Sequence, residues 1–267
     1  MEGTVAVPVS MDALADDVAA ETAVLREILV GLSEDDWRRD TPAAGWTIAD
    51  QVSHLAHFDA TAVKSAVDPD GFRADVDNSP PIDPDAVALQ YRDLTGAEML
   101  RWFDGERERL LETFRGLDPG TRVPWYGPPM SAASSLTARL METWAHTQDI
   151  ADTVGVTREP SGRLRHVAHI GIGARIYSYA VNGIAQPEAP IRVELTAPDG
   201  STWTWGPEGA ADRVTGPALD FCLAVTQRRH RDDTALEITG PVANEWMSFA
   251  QAFAGPAGPG RKAGQFS

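Results

Sequence analysis

Between Met11 and Val154 apolar residues recur at helical spacing in four separate stretches, joined by polar or proline-rich connections. This patterning constrains the fold most, because each stretch carries one apolar stripe that must be buried against another helix. The first stretch runs from about Met11 to Leu32 through Leu14, Val18, Leu25 and Leu29, and ends near Gly31. The second opens at Thr47, where Thr47 and Asp50 have the spacing of a capping box, and continues through Val52, Leu55, Phe58 and Ala62. Residues 68–84, rich in Asp and Pro, read as a loop. The third helix is expected over 85–115, with Gly96 and Gly105 as points where it can kink. The fourth spans about Ser131 to Val154 and is closed by Gly155. The expected result is a four-helix bundle.

After Gly155 the period changes. Leu164–Ile184 reads as helical, Ile191–Thr196 and Thr202–Trp205 alternate at period two around the turn Pro198-Asp-Gly200, and Pro217–Arg229 reads as a helix. A strand over Ala235–Thr239 and a helix over Val242–Ala254 follow. The fold class is thus α plus α+β. The bundle is expected over residues 1–160 and the α+β domain over 161–254, with a disordered Gly/Pro-rich tail over 255–267.

Charge and cysteine content narrow the chemistry. A net charge of -16 repels phosphate backbones, so nucleic acid is not an expected partner. The single cysteine, Cys222, rules out an internal disulfide and any all-cysteine zinc site, and its apolar neighbours Phe221 and Leu223 suggest a buried thiol. No apolar run approaches the roughly 18–20 residues of a membrane span. Residues Met1–Ser10 lack the basic and apolar regions of a secretion leader, so the expected location is cytoplasmic.

Within the fourth helix Arg139, Glu142, His146 and Asp149 recur at spacings of three, four and three. Such a stripe either faces solvent or builds a site inside the bundle. Glu142 and His146, four apart, share one helix face and can grip a single metal ion. His54, on the second helix, is the candidate third ligand, leaving a fourth position open as in catalytic zinc sites. His57, nearly one turn beyond His54, is a weaker candidate. His166 and His169 are expected to serve packing or an interface, and Trp203 and Trp205 to pack within the hairpin. Ile170-Gly-Ile-Gly lacks a preceding strand and a third glycine, so it is not a dinucleotide fingerprint.

Trp46-Thr-Ile-Ala-Asp50 followed by His54-Leu55, with Glu142-Thr-Trp-Ala-His146-Thr-Gln-Asp149 later, resembles the DinB/YfiT-like metal-binding bundles. The closest resemblance is to the mycothiol-dependent maleylpyruvate isomerase family. The resemblance covers roughly residues 11–155. It implies a divalent metal, zinc first, held by His54, Glu142 and His146, and mycothiol as a co-substrate. Val214–Asp220 and Glu237–Gly240 resemble, more weakly, the family's C-terminal domain, which is related to sterol-carrier folds. Asp149 is then a candidate for orienting a ligand, and Arg139 for pairing with Glu142 or meeting a substrate carboxylate.

Three functions compete. The first is an enzyme that activates a small thiol for transfer to, or isomerisation of, a small electrophile. The second is a metal-dependent hydrolase using bound hydroxide, which the same ligands would serve. The third is a non-catalytic metal- or small-ligand-binding protein. Two histidines and a carboxylate suit zinc, but also iron, nickel or manganese.

Overall fold

The computed structural model describes residues 10–266. The first nine residues, where no secretion leader is expected, lie outside it. The chain divides into two compact units, with the boundary between Thr157 and Arg158.

The first unit is a helical bundle. Its elements are α1 (Met11–Leu29), α2 (Glu34–Trp37), α3 (Ile48–Val67), α4 (Pro69–Asn78), α5 (Pro84–Leu89) and α6 (Gly96–Arg115), then a two-stranded ribbon of β1 (Arg122–Val123) and β2 (Met130–Ser131), and α7 (Ala132–Val154). The four long helices pack in a ring, α1 on α7 and α6, and α3 on α6 and α7. Leu25, Leu29, Ile48, Val52, Leu55, Met99, Phe103 and Ile150 meet in the core. Each such side chain contributes about 1.5–3 kcal/mol by leaving water.

Capping chemistry sets where the helices begin. Thr47 accepts from the Asp50 amide, and the Asp50 carboxylate accepts from the Thr47 amide at 2.8 Å, so the capping box expected here is formed. Two further boxes, Ser33 with Asp36 and Thr95 with Glu98, start α2 and α6. The helix expected over 85–115 is therefore two helices rather than one. The break spans residues 90–95, and the Thr95 cap starts α6; Trp37 packs where a side chain at 96 would stand, so a Cβ there would lie 2.3 Å from the indole Nε1. Gly105 sits inside α6 with open space beside it and causes no break. Residues 68–84 are also not all loop. Asp68 caps α4 by accepting from Gly71 N, and Pro69 occupies the first turn, where its missing N–H costs nothing.

The second unit is α+β. Its elements are α8 (Leu164–Gly173), α9 (Arg175–Val181), β3 (Ile191–Thr196), β4 (Thr202–Trp205), β5 (Asp212–Pro217), α10 (Ala218–Val225), β6 (Glu237–Thr239) and α11 (Pro241–Met247). The sheet runs β4-β3-β5-β6. The expected hairpin pairs Val193 with Trp205 and Thr196 with Thr202, while β3 and β5 run parallel. Strand β5 was not expected; it opens on buried Asp212, whose Oδ1 accepts from the amides of Val242 and Ala243 and caps α11. Close packing of α8 on α10 accounts for Gly171, where a Cβ would lie 2.6 Å from a Val225 methyl. Cys222 is fully buried, its thiol donating to Leu164 O at 3.4 Å, and burial pushes its pKa well up. In the tail, Gly255 exchanges two hydrogen bonds with the Tyr177 hydroxyl and Gly264 N donates to Asp233. Among the described residues no helix is long and apolar enough to cross a membrane.

Candidate metal centre

Helices α3 and α7 lie side by side in the bundle ring and bring His54, Glu142 and His146 together. Their ligand atoms lie within 4.8 Å of one another. Among the described residues they form the one cluster of three or more His, Cys, Asp or Glu groups able to share a cation. Glu142 Oε2 is 3.1 Å from His146 Nε2 and 3.5 Å from His54 Nε2. Both imidazoles are buried, and the Glu142 side chain keeps 19% of its exposure, so the group is recessed but reachable. Trp46 stacks on the His146 ring, with centroids 5.8 Å apart and planes 13° apart, and Phe58 packs on His54 at 4.6 Å.

The hydrogen-bond directions around His146 can be worked out from the outside in. The Thr41 hydroxyl donates its one proton to Trp46 O at 2.8 Å. It must therefore accept from Gln51 Nε2, 2.9 Å away. That orientation turns Gln51 Oε1 towards His146 Nδ1, which donates to it. A neutral His146 then presents a lone pair at Nε2, facing the Glu142 carboxylate, itself an acceptor. Two acceptors at that distance repel unless a proton or a metal cation lies between them. His54 adds a third nitrogen to the same oxygen, and among the described residues its buried Nδ1 has no hydrogen-bond partner.

Burial, followed by the nearby His146 charge, pushes the His54 pKa down to about 4. This imidazole is neutral at pH 7 and its lone pair is available. Burial alone would raise Glu142, but hydrogen bonds and charge from His146 and His54 outweigh it and hold the carboxyl well below its usual range. The donor set of two imidazoles and one carboxylate thus fits a divalent metal with a position left over.

Arg139 does not pair with Glu142. Its Nε meets Asp59 Oδ1 at 2.9 Å and its Nη2 donates to Leu55 O at 3.2 Å. Asp59 also binds Arg107 at 2.7 Å, and all three side chains are buried. The arginine points into the bundle because Asp59 of α3 supplies a fully desolvated counter-charge. Asp149 is fully buried one turn beyond His146, but the bond at His146 Nδ1 goes to Gln51. His57 bonds the Tyr91 hydroxyl at 3.0 Å and stands outside the cluster. His166 is half-buried and His169 exposed, both on α8 of the second unit. Gln51 is the residue sequence reasoning missed; its signal was an amide three positions before His54, on the same helix face.

Residues 18–151 match the family described as the mycothiol maleylpyruvate isomerase N-terminal domain. The chain belongs to this family. Two uncharacterised proteins from strains of Mycobacterium tuberculosis are each 44% identical over 249 residues, covering 92% of this chain and 96% of the relative. The mycothiol maleylpyruvate isomerase fold is also seen in a solved structure. A crystal structure of the mycothiol-dependent maleylpyruvate isomerase superposes with a TM-score of 0.60 at 15% identity, covering 86% of this chain and 93% of that one. A histidine-to-alanine mutant of that enzyme superposes with a TM-score of 0.58. The N-terminal family match stops at the bundle; a separate stretch, residues 187–237, matches a family described as wyosine base formation.

Proposed function

We propose that this protein is a divalent-metal-dependent enzyme that activates a low-molecular-weight thiol, mycothiol or a close analogue, for transfer to or isomerisation of a small electrophile. The observation that carries the reading is the convergence of His54 Nε2, His146 Nε2 and Glu142 Oε2 in a recess of the bundle. These three residues would hold the ion. When bound, such an ion supplies a Lewis acid that favours the thiolate form of a coordinating thiol.

The rest is the work of the chain. His54 stays neutral above about pH 4 and keeps its lone pair for the ion. Glu142 brings a formal negative charge that two neutral imidazoles cannot supply. Arg139, through Asp59 and the Leu55 carbonyl, locks α7 against α3, so it positions the ligands and does not touch substrate. Asp149 is assigned a supporting role from within the same helix. Trp46 and Phe58 flank the imidazoles and limit the approach of water. Zinc is the first metal expected, and maleylpyruvate, the substrate in the name of the structural relative, is the first electrophile to try.

The test is incubation of metal-replete protein with maleylpyruvate, with and without mycothiol. Turnover that requires both metal and thiol is the expected result. Turnover that needs metal but no thiol would replace this reading with hydrolysis, and zinc-replete protein inert with both would remove its substrate class.

A further inference from the structure

We infer that Gln51 is the positioning residue that holds His146 in its Nδ1–H tautomer and aims the Nε2 lone pair at the metal position. The inference deepens the reading above and rests on it for its functional meaning. Its geometric basis is independent of any metal.

A neutral imidazole carries its proton on either nitrogen, and the partner of one nitrogen decides the other's role. The Nε2–H form of His146 would point a proton at the metal position and block ligation there. Gln51 prevents this by offering Nδ1 an acceptor. An amide can normally flip and offer its NH2 instead. Here Thr41 prevents the flip, because its hydroxyl proton is committed to Trp46 O and only its lone pairs remain for Gln51 Nε2. Gln51 is fully buried, so water does not substitute for either partner.

The far end of this relay is itself fixed. Thr41 N donates to Trp46 O at 2.8 Å, Ile48 N donates to Arg39 O at 3.1 Å, and Asp40 bridges to Thr47. Arg92 clamps the same turn, donating to Gly45 O at 2.9 Å and to both Asp50 oxygens. The Trp46 indole donates to Asp85 at 2.6 Å while its face stacks on His146. The turn 41–46 therefore grips His146 twice, by ring stacking and through the Gln51 amide. A buried amide that merely satisfied its own hydrogen bonds would leave the His146 tautomer and metal affinity indifferent to its replacement.

The experiment uses the full-length, 15N-labelled protein as wild type and Gln51→Leu. Long-range proton–nitrogen spectra of the metal-free forms report the His146 tautomer, and competition with a chromophoric chelator reports zinc affinity. Wild type is expected to carry a proton on Nδ1, held by Gln51, including where Glu142 draws a second proton to Nε2 in the absence of the ion. Gln51→Leu is expected to lose that preference and to bind zinc about 10–100-fold more weakly. A wild-type His146 in the Nε2–H form would overturn the inference, and so would unchanged zinc affinity in Gln51→Leu. The wild-type spectrum decides the tautomer even where Gln51→Leu fails to fold. An Nδ1–H wild type that binds no zinc would uphold the tautomer assignment and defeat the metal reading separately.

Discussion

Arg139 of α7 and Asp59 of α3 form a buried ion pair of 2.9 Å between the helix that carries Glu142 and His146 and the helix that carries His54. Arg107 of α6 approaches the other Asp59 oxygen at 2.7 Å. One carboxylate thus ties three helices together. Removing it leaves two desolvated guanidinium groups without it, which costs about 3–5 kcal/mol. Asp59→Asn should lose that much stability in urea unfolding of the metal-free protein. Arg139→Met should lose less, because Asp59 keeps Arg107. The reverse order would contradict this account.

The two glycines of α6 should respond in opposite directions to alanine. Gly96→Ala drives a methyl group into the Trp37 indole and should cost about 1–3 kcal/mol. Gly105→Ala meets open space inside the helix and should gain about 0.5–1 kcal/mol. Paired denaturation curves check the signs, and a stabilising Gly96→Ala would mean that Trp37 is not packed there.

Asp50 gives the bundle a pH dependence. Burial by itself raises its pKa, but the Arg92 ion pair and the Thr47 hydrogen bonds outweigh that and lower it below 3.8. A depressed carboxyl pKa stabilises the folded state above the unfolded value and loses that contribution as pH falls through the folded one. The stability gap between wild type and Asp50→Asn should therefore be full at pH 6 and shrink on acidification below about pH 4. A gap that widens in acid would reverse the sign of the assignment.

Cys222 should be inert in the native protein. Burial raises its pKa and leaves no exposed thiol surface, so a thiol reagent should label it only as fast as the second unit opens. Labelling at the rate of a free cysteine, without denaturant, would contradict the packing of α10 on α8.

The site was legible where its residues obey helical spacing. Glu142 and His146 are four apart, and the Thr47–Asp50 box sets the start of the helix that brings His54 to meet them. The place of Gln51 one turn before His54 was legible, but its role was not, because that depends on Thr41, which lies in a turn with no periodicity. The direction of Arg139 was hidden for a related reason: spacing along one helix offered Glu142, while the stronger partner, Asp59, lay on another. In the fold, Asp68-Pro69 read as a break but is a cap and first turn. Strand β5 escaped notice because it begins on a buried aspartate and ends on Gly216-Pro217, against the usual composition of a strand.

The most direct measurement is zinc stoichiometry by elemental analysis of wild type, His54→Ala and His146→Ala after equilibration with the same free zinc. The account predicts one ion per wild-type chain and loss of it in both variants. Two variants that keep wild-type zinc content would contradict it, because the ion would then be held somewhere other than between α3 and α7.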